Sequence, residues 1–173
     1  VRAMTDFTVP LTALARGLTT VQWPGRLQRL RGGPLTQNLP QGTELWLDGG
    51  HNELAGRALS TTVAAMTPER PLVLIMGMLA TKDVGAFLHP FKNSVAKVHA
   101  VPVPDEPAGL APEVLVARAK KVGIAAVAHQ SVTEALNTVK QAKTPEPQRI
   151  VICGSLYLAG RVLSDNGMGK SVK

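Results

Sequence analysis

From about residue 43 onward, the sequence alternates between short apolar runs and segments whose apolar residues recur at helical spacing. The run PLVLIMGM is apolar throughout, which is typical of a strand that is covered on both faces. The segment NELAGRALSTTVAAM repeats its apolar residues every three or four positions, as a helix does. Strands that alternate with helices predict a mostly parallel sheet with helices on both faces, and therefore a Rossmann-like α/β fold in a single domain.

Five strands and five helices are predicted in this alternation. The predicted strands are TELWLDGG, PLVLIMGM, SVAKVHAV, GIAAVAH and QRIVICG. The predicted helices are NELAGRALSTTVAAM, DVGAFLHPF, APEVLVARAKKV, SVTEALNTVKQA and SLYLAGRVL. The third of these helices has a proline near its start, where a first turn tolerates one because that N–H has no partner within the helix.

The chain divides into three predicted parts. Residues 1–42 form a leading segment, in which PGRLQRLRGGPLTQNLPQG is predicted as a hairpin or loop that feeds the sheet. Residues 43–163 form the α/β domain, and residues 164–173 form a polar tail that is predicted to be flexible. A chain of 173 residues, 45% of them hydrophobic, is long enough for one such domain with one substantial core.

The N-terminus and the cysteine content bear on where the protein works. The first residues, VRAMTDFTVPLTALARG, contain neither an initiator Met nor a signal peptide, so we expect the sequence to come from the middle of a longer protein. No apolar run reaches the roughly eighteen residues that a membrane span requires, so no membrane partner is expected. Cys153 is the single cysteine and cannot form an internal disulfide, which fits a cytoplasmic protein.

The formal net charge is +7, which points to an anionic ligand or partner. Nucleic acid is not favoured, because aromatic residues make up only 3% of the chain and are not interleaved with basic ones. The basic residues are scattered, apart from a small group near the start of the chain, and this spread fits small phosphates or carboxylates. The alternative is a solvated basic face without a ligand, and it stays open.

Polar residues follow three of the predicted strands at their carboxyl ends, which is where open parallel sheets bind ligands. The helices that begin there also offer free backbone N–H groups and a positive dipole end, which suit an anion. Asn52 and Ser155 could equally serve as plain helix N-caps. The polar positions are residues 48–52 after the first strand, residues 81–83 after the second, and Gly154 and Ser155 after the last.

Several familiar motifs are absent on inspection. The GMGKS near the C-terminus is not a phosphate-binding P-loop, because Ser164 stands where the first glycine must be and no strand leads into it. The sequence also lacks the G-x-G-x-x-G of a dinucleotide site. The four histidines are not at metal-ligand spacing, so zinc is not expected. Cys153 is predicted to be a packed core thiol.

Asp48, His51 and Ser155 are the residue types of a hydrolase triad, but their context disfavours one. Gly154-Ser155-Leu156 does not match the G-x-S-x-G turn that exposes a nucleophilic serine. Asp48 precedes His51 by only three residues across a flexible corner, which is a poor arrangement for orienting an imidazole. A serine hydrolase is therefore not the favoured interpretation.

Four ordered stretches resemble the C-terminal domain of folylpolyglutamate synthase, a family that is often bifunctional with dihydrofolate synthase and belongs to the Mur ligase superfamily. The family's patterns are D-x-A-H-N-P, G-M-x-x-D-K-D and C-G-S, and this chain differs from them at Gly50, Glu53 and Thr81. The resemblance covers residues 23–163, and the stretches that carry it are PGRLQRL, LWLDGGHN, LIMGMLATKDV and IVICGSLYLAG.

The resemblance implies an ATP-dependent ligase that activates a folate or pteroate carboxylate as an acyl phosphate, which the amino group of L-glutamate then attacks. It implies that Arg26 and Asp48 bind ATP and that His51 and Ser155 bind the glutamate. Lys82 and Asp83 would lie near the phosphates or a domain interface. No catalytic residue and no metal ligand is implied within this chain.

The resemblance also implies that much of the enzyme lies outside this sequence. In the family, the P-loop, the magnesium ligands and the pterin pocket belong to an N-terminal ATPase domain. ATP and Mg²⁺ are therefore the implied cofactors, with the metal bound mainly by that domain, and the isolated chain is expected to be inactive as a ligase. The implied partners are that domain, L-glutamate and the folate or pteroate substrate, and we expect a monomer.

Two alternative functions stay open at this point. One is a Mur-type ligase domain that acts on peptidoglycan precursors, which shares the same arrangement of strands and helices. The other is a non-catalytic module that binds a nucleotide or an amino acid. The PGR and GMLATKD stretches favour the folate branch over the peptidoglycan branch.

Overall fold

A single sheet organises the computed structural model, which describes residues 9–142 and 146–168. Within these residues the strands lie in the spatial order β1-β2-β6-β3-β4-β5. β1 pairs antiparallel with β2, and every other neighbouring pair is parallel. The mostly parallel sheet is therefore confirmed, with one strand more than predicted. The strands are β1 (Gln28–Leu30), β2 (Glu44–Leu47), β3 (Leu72–Met76), β4 (Val95–Ala100), β5 (Ala126–Ala128) and β6 (Arg149–Cys153).

The helices alternate with the strands as the sequence predicts. Most begin at a side chain that accepts a hydrogen bond from a free N–H of the first turn, as Asn52, Asp83, Ser131 and Ser155 do. Among the described residues no helix has both the length and the apolar character to cross a membrane. The helices are α1 (Leu11–Thr20), α2 (Glu53–Ala64), α3 (Val84–Leu88), α4 (Pro112–Val122), α5 (Val132–Gln141) and α6 (Leu156–Asp165), with a 3₁₀ turn at His89–Phe91.

Apolar side chains of the sheet are buried on both faces. Leu74 and Met76 of β3 belong to the cluster formed with α2, α3 and α4, whereas Val73 and Ile75 belong to the cluster formed with α5 and α6. Each such side chain contributes about 1.5–3 kcal/mol by leaving water. Cys153 is buried in the first cluster, and this burial, together with the nearby charge of Asp48, raises the pKa of its thiol. The predicted core thiol is confirmed.

The predicted tail begins too early. α6 continues through Asp165, and Asn166 is buried because its side chain accepts a hydrogen bond from the Leu35 N–H and donates one to the Gly32 carbonyl. These two bonds attach the end of α6 to the segment after β1. Residues 169–173, which include part of the GMGKS stretch, lie outside the described residues.

The leading segment is more structured than predicted. It contributes β1 to the edge of the sheet, and it contains α1, which the sequence analysis did not predict. None of the residues of α1 is buried, and Leu11 and Leu18 are largely exposed. α1 therefore adds nothing to either apolar cluster of this domain.

Candidate functional site

The corner after β2 is held in a tight, glycine-dependent conformation. The Asp48 N–H donates to the Ile152 carbonyl of β6, and the Gly50 N–H donates to the Asp48 carboxylate at 2.6 Å. A Cβ on Gly49 would overlap Leu156, and one on Gly50 would lie 2.7 Å from Asp48 Oδ1. Gly50 is therefore required, because Asp48 and Ala55 occupy the space of any side chain, whereas at Gly49 the obstacle is the end of the exposed Leu156 side chain, which can move aside.

The same corner is linked by hydrogen bonds to the loop that precedes β1, residues 23–27, which contains Pro24-Gly25-Arg26 and is called the PGR loop. The Gly49 N–H donates to the Gly25 carbonyl at 2.7 Å, and the Leu27 N–H donates to Asp48 Oδ2 at 2.8 Å. Both carboxylate oxygens of Asp48 thus accept backbone hydrogen bonds, and the residue is only 6% exposed. Asp48 and Arg26, which the resemblance assigns to ATP, lie in two adjacent loops, and Asp48 joins them.

A cavity of about 200 Å³ lies beyond the carboxyl ends of β2, β3 and β6. His51 reaches the cavity from the corner after β2, and Lys82 reaches it from the segment after β3. Ser155 reaches it from the N-cap position of α6. Three of the site residues implied by the resemblance therefore converge, although they are far apart in the sequence. The remaining walls are formed by Leu79, Gly154, Leu156 and Tyr157.

The hydrogen bonds of His51 fix which ring nitrogen carries a proton. His51 Nδ1 lies 2.9 Å from the Gly49 carbonyl oxygen, and a carbonyl oxygen can only accept. Nδ1 is therefore the protonated nitrogen, and Nε2 is left to accept from, or when protonated to donate to, a ligand. His51 is half-buried, and its hydrogen bond to the Gly49 carbonyl sets the orientation of its ring.

Ser155 serves both as an N-cap and as a wall of the cavity. Its Oγ accepts from the Tyr157 and Leu158 N–H groups at 3.1 and 3.4 Å, and the residue is 3% exposed. The hydroxyl hydrogen is not used in these bonds and can be donated to an acceptor in the cavity. The cap alternative for Ser155 is confirmed without excluding a binding role.

Asn52 and Asp83 are helix caps that do not line the cavity. The Asn52 side chain accepts from the Ala55 N–H at 2.9 Å, and Asp83 accepts from the Ala86 N–H at 3.0 Å. Lys82 lines the cavity and its neighbour Asp83 does not, so the structure separates the two residues that the resemblance grouped.

The geometry gives no support to a hydrolase triad. His51 Nδ1 contacts the Gly49 carbonyl, and both oxygens of Asp48 accept from backbone N–H groups. The Asp–His contact that orients a catalytic imidazole in a triad is thus replaced by other partners. This agrees with the sequence context, which disfavoured a hydrolase.

The electrostatic character of the cavity is cationic. Lys82 supplies an ammonium group, His51 supplies an imidazole, and the N-terminus of α6 presents the positive end of the helix dipole beside Ser155. Leu79, Leu156 and Tyr157 add an apolar surface on the other side. Such a cavity can bind a small carboxylate whose carbon chain packs against apolar walls.

Tyr157 is a polar wall residue of the cavity that was not predicted from the sequence. It is the single tyrosine of the chain and stands two positions after Ser155, at the first turn of α6. Its ring is exposed at the cavity mouth. A polar aromatic residue two positions after a predicted cap at a strand end was the available signal.

Within residues 9–142 and 146–168, no group of three or more His, Cys, Asp or Glu side chains is arranged to hold a metal ion. The acidic residues nearest the site are engaged, since Asp48 accepts two backbone hydrogen bonds and Asp83 caps α3. The described residues therefore offer no preformed metal site of three or more such side chains, and no metal-dependent step is assigned to them.

A mostly parallel sheet covered by helices, with a cavity beyond its strand ends, defines a Rossmann-like α/β domain. The chain belongs to the family described as dihydrofolate synthetase, C-terminal domain, whose model matches residues 34–165. The family resemblance drawn from the sequence motifs is thereby confirmed.

The chain is similar to known folylpolyglutamate synthases. It is 31% identical over 164 residues to the enzyme from Lacticaseibacillus casei, which covers 94% of this chain and 34% of that protein. A solved structure of the Mycobacterium tuberculosis enzyme complexed with ADP matches with a TM-score of 0.77 and 22% identity, over 95% of this chain and 36% of that one.

A second solved structure contains a nucleotide analogue, a metal ion and an amino acid. It is a bifunctional folylpolyglutamate synthase/dihydrofolate synthase with Mn, AMPPNP and L-glutamate bound, and it matches with a TM-score of 0.73 and 24% identity. The match covers 92% of this chain and 35% of that one. The chain thus spans about a third of the length of these relatives.

Proposed function

We propose that the chain is the C-terminal domain of an ATP-dependent ligase that joins L-glutamate to the carboxylate of a folate or pteroate through an acyl phosphate. The observation that carries the proposal is the convergence of His51, Lys82 and Ser155 on one cavity at the sheet edge. Family membership supplies the reaction class. The relatives are about three times as long, which leaves room for a domain with the P-loop.

The cavity is proposed to bind L-glutamate. A substrate carboxylate would accept hydrogen bonds from Ser155 Oγ and from protonated His51 Nε2, and Lys82 would neutralise its charge. The methylene chain of the substrate would pack on Leu79 and Leu156. This arrangement leaves the amino group free to face the acyl phosphate at the cavity mouth.

The domain's contribution to the reaction is to position the nucleophile. The unprotonated amino group attacks the acyl carbon, a C–N bond forms, and the C–O bond to the phosphate breaks with release of inorganic phosphate, while the nitrogen loses one proton to water. Holding the amine in line with that carbon lowers the entropic part of the barrier. No proton transfer is assigned to a side chain of the cavity.

ATP is proposed to lie against the PGR loop, where the exposed Arg26 guanidinium can meet phosphate or ribose oxygens. Asp48 fixes that loop and retains lone pairs for a ribose hydroxyl. ATP and Mg²⁺ are proposed as cofactors of the whole enzyme, with Mg²⁺ bound by groups outside the described residues. A cytoplasmic location is part of the proposal and is supported by the single cysteine.

Calorimetry on the 173-residue chain tests the glutamate site. We expect L-glutamate to bind, and we expect His51→Ala to weaken binding by about 10- to 100-fold, because a charge-assisted hydrogen bond is lost. His89→Ala is the matched control, since His89 is an exposed histidine on the 3₁₀ turn away from the cavity. Equal losses in the two variants would contradict the assignment of His51.

Ligation assays separate the proposal from its alternatives. The full-length protein is expected to form a folate–glutamate product with ATP, and the isolated chain is expected to form none. Turnover of a peptidoglycan nucleotide precursor instead would place the protein among the Mur ligases. Binding of ATP and glutamate by the full-length protein without any product would indicate a non-catalytic module.

A further inference from the structure

Trp23 is placed unusually for a tryptophan. The chain contains two tryptophans, and Trp46 is half-buried with its Nε1 donating to Glu44 Oε2 at 3.1 Å. Trp23 instead is 68% exposed, in the PGR loop before β1. A ring of this size normally loses most of its apolar surface on folding, so the exposed Trp23 ring leaves a large apolar face available to a ligand.

The Trp23 ring is held in place although it is exposed. The Arg26 guanidinium carbon lies 5.6 Å from the centroid of the ring, within the range of a cation–π contact, and the Arg26 N–H donates to the Trp23 carbonyl at 3.2 Å. The loop itself is fastened by the hydrogen bonds of Gly25 and Leu27 to the corner after β2. Because the loop is fixed, a ligand would meet a ring that is already oriented.

A cavity of about 470 Å³ adjoins the ring, within the size range of small-molecule sites. Its walls combine the Trp23 ring and two glutamine amides with an apolar surface from the end of α6 and the segment after it. The Gln22 amide can read the polar edge of a ring whose faces are apolar, whereas the Gln28 amide already accepts from the Gly25 N–H and donates to Met168 Sδ. The lining residues are Gln22, Trp23, Pro24, Arg26, Gln28, Leu163 and Met168.

We propose that Trp23 stacks on the purine base of the nucleotide, with the base in this cavity and Arg26 on its phosphate side. The inference rests on the proposed function and names a residue to which the motifs assign no role. A pterin ring shares the planar heteroaromatic chemistry. The nucleotide is favoured because the guanidinium beside the stacking face meets a polyphosphate chain directly.

Fluorescence of Trp23 tests the proposal in the 173-residue chain with the Trp46→Phe substitution, which leaves Trp23 as the single tryptophan. The probes are ADP, adenosine, inorganic tripolyphosphate and pterin-6-carboxylate. We expect ADP and adenosine to quench the emission, because both carry the base. Tripolyphosphate, which has charge but no base, is expected to leave it nearly unchanged.

Affinity measurements on two Trp23 variants complete the test. Stacking on an aromatic side chain is worth about 1–3 kcal/mol per base, so Trp23→Ala is expected to raise the Kd for ADP by about 5- to 100-fold. Trp23→Phe keeps a stacking ring and is expected to retain most of the affinity. Since the residue is exposed, neither change is expected to shift the thermal midpoint.

Three results would overturn the proposal: an ADP affinity of Trp23→Ala within about twofold of wild type, equal quenching by tripolyphosphate and ADP, or quenching by the pterin alone. Absence of quenching by ADP at concentrations up to about 5 mM would overturn it as well. Failure of the proposed ligase function is a separate result, because it is measured by product formation and by the glutamate affinity of His51→Ala.

Discussion

The Asp48 carboxylate accepts a hydrogen bond of 2.8 Å from the Leu27 N–H, and this bond joins the first two of the four motif stretches, PGRLQRL and LWLDGGHN. The second carboxylate oxygen accepts from the Gly50 N–H at 2.6 Å. Asp48 therefore supports the conformation of the PGR loop, in addition to any contact it makes with ATP. The two roles can be separated by experiment.

Asp48→Asn is expected to destabilise the domain by about 2–3 kcal/mol. The amide keeps one acceptor oxygen, and its NH₂ group faces a backbone N–H that needs an acceptor. The PGR loop is expected to loosen, and the Kd for ADP is expected to rise. Urea unfolding measures the first effect and calorimetry the second.

Asp83→Asn is the control for this substitution. Asp83 caps α3 from an exposed position, and asparagine caps helices about as well as aspartate, so we expect a change below about 0.5 kcal/mol. If Asp48→Asn unfolds at the same urea concentration as wild type, the proposed support of the loop by Asp48 is wrong.

Gly154 and Gly160 form a matched pair for a test of the corner before α6. Gly154 has φ +101°, and a Cβ there would lie 2.6 Å from the Gly77 carbonyl oxygen, whereas a Cβ on Gly160 would meet no atom within 4 Å. Gly154→Ala is expected to lower the free energy of unfolding by about 2 kcal/mol or more. Alanine rarely adopts this positive φ, and the Gly77 carbonyl oxygen occupies the space that its Cβ would need. Gly160→Ala is expected to stabilise α6 by up to about 1 kcal/mol. Thermal unfolding of both variants distinguishes these outcomes, and a stable Gly154→Ala would contradict the structure of the corner.

The strand-end rule predicted the location of the site from the sequence. Residues that follow three separate strands had to meet at one edge once the sheet was parallel, and His51, Lys82 and Ser155 do share a cavity there. The apolar periodicity of the strands and helices and the N-cap residues are local signals. The strands and helices after residue 43 were therefore also predictable. The assignment of individual ligands to these residues stays a prediction.

Contacts between distant segments were not predictable. Nothing local to Asp48 indicates that its partner is the Leu27 N–H, because that contact exists only once β1 pairs with β2. α1 was missed although Leu11, Leu14 and Leu18 have helical spacing, since Gly17 and three threonines weaken the helical signal. The end of α6 was placed too early because the contacts of Asn166 with Leu35 and Gly32 are long-range.

A buried ion pair connects the N-terminal ends of β2 and β6. Arg149 Nε donates to Glu44 Oε2 at 2.8 Å, and the guanidinium also donates to backbone carbonyls of residues 63, 66 and 68. Burial alone would raise the pKa of Glu44, but the hydrogen bonds from Arg149 and Trp46 and the charges of Arg149 and Arg29 lower it overall. The ionised form of Glu44 is thus the form that the fold stabilises.

Glu44→Gln is expected to cost about 3–5 kcal/mol, because it leaves the Arg149 charge buried without its carboxylate. The exposed pair of Arg57 and Glu53, 2.7 Å apart, is the control, and Glu53→Gln is expected to cost less than about 0.5 kcal/mol. Urea unfolding at neutral pH measures both values. Similar costs for the two substitutions would show that burial does not strengthen the Glu44 pair.

The histidine pair of β4 and β5 makes the stability of the domain depend on pH. His99 Nδ1 lies 2.8 Å from His129 Nε2, and the ring centroids are 5.0 Å apart, so the buried rings meet edge to edge. His129 Nδ1 is buried without a hydrogen-bond partner among the described residues, 3.6 Å from Glu134 Oε1. Burial, followed by the charges of His129 and Lys97, lowers the pKa of His99 to about 4.

The sign of the effect follows from the direction of this pKa shift. The folded protein binds a proton at His99 more weakly than the unfolded chain does, whose histidines titrate near pH 6.5. The contribution of His99 to the free energy of unfolding is therefore fully present above about pH 6.5 and falls as the pH drops toward 4. It amounts to roughly 3 kcal/mol in total. Urea unfolding at pH 7.5, 6 and 5 is expected to show this loss.

His99→Gln is expected to remove most of the dependence of the unfolding free energy on pH, and the exposed-site control His89→Gln is expected to leave it in place. A His99→Gln protein with the wild-type slope would assign the acid sensitivity to other groups, because the Glu44 contribution is lost only below its own unfolded pKa of 4.5.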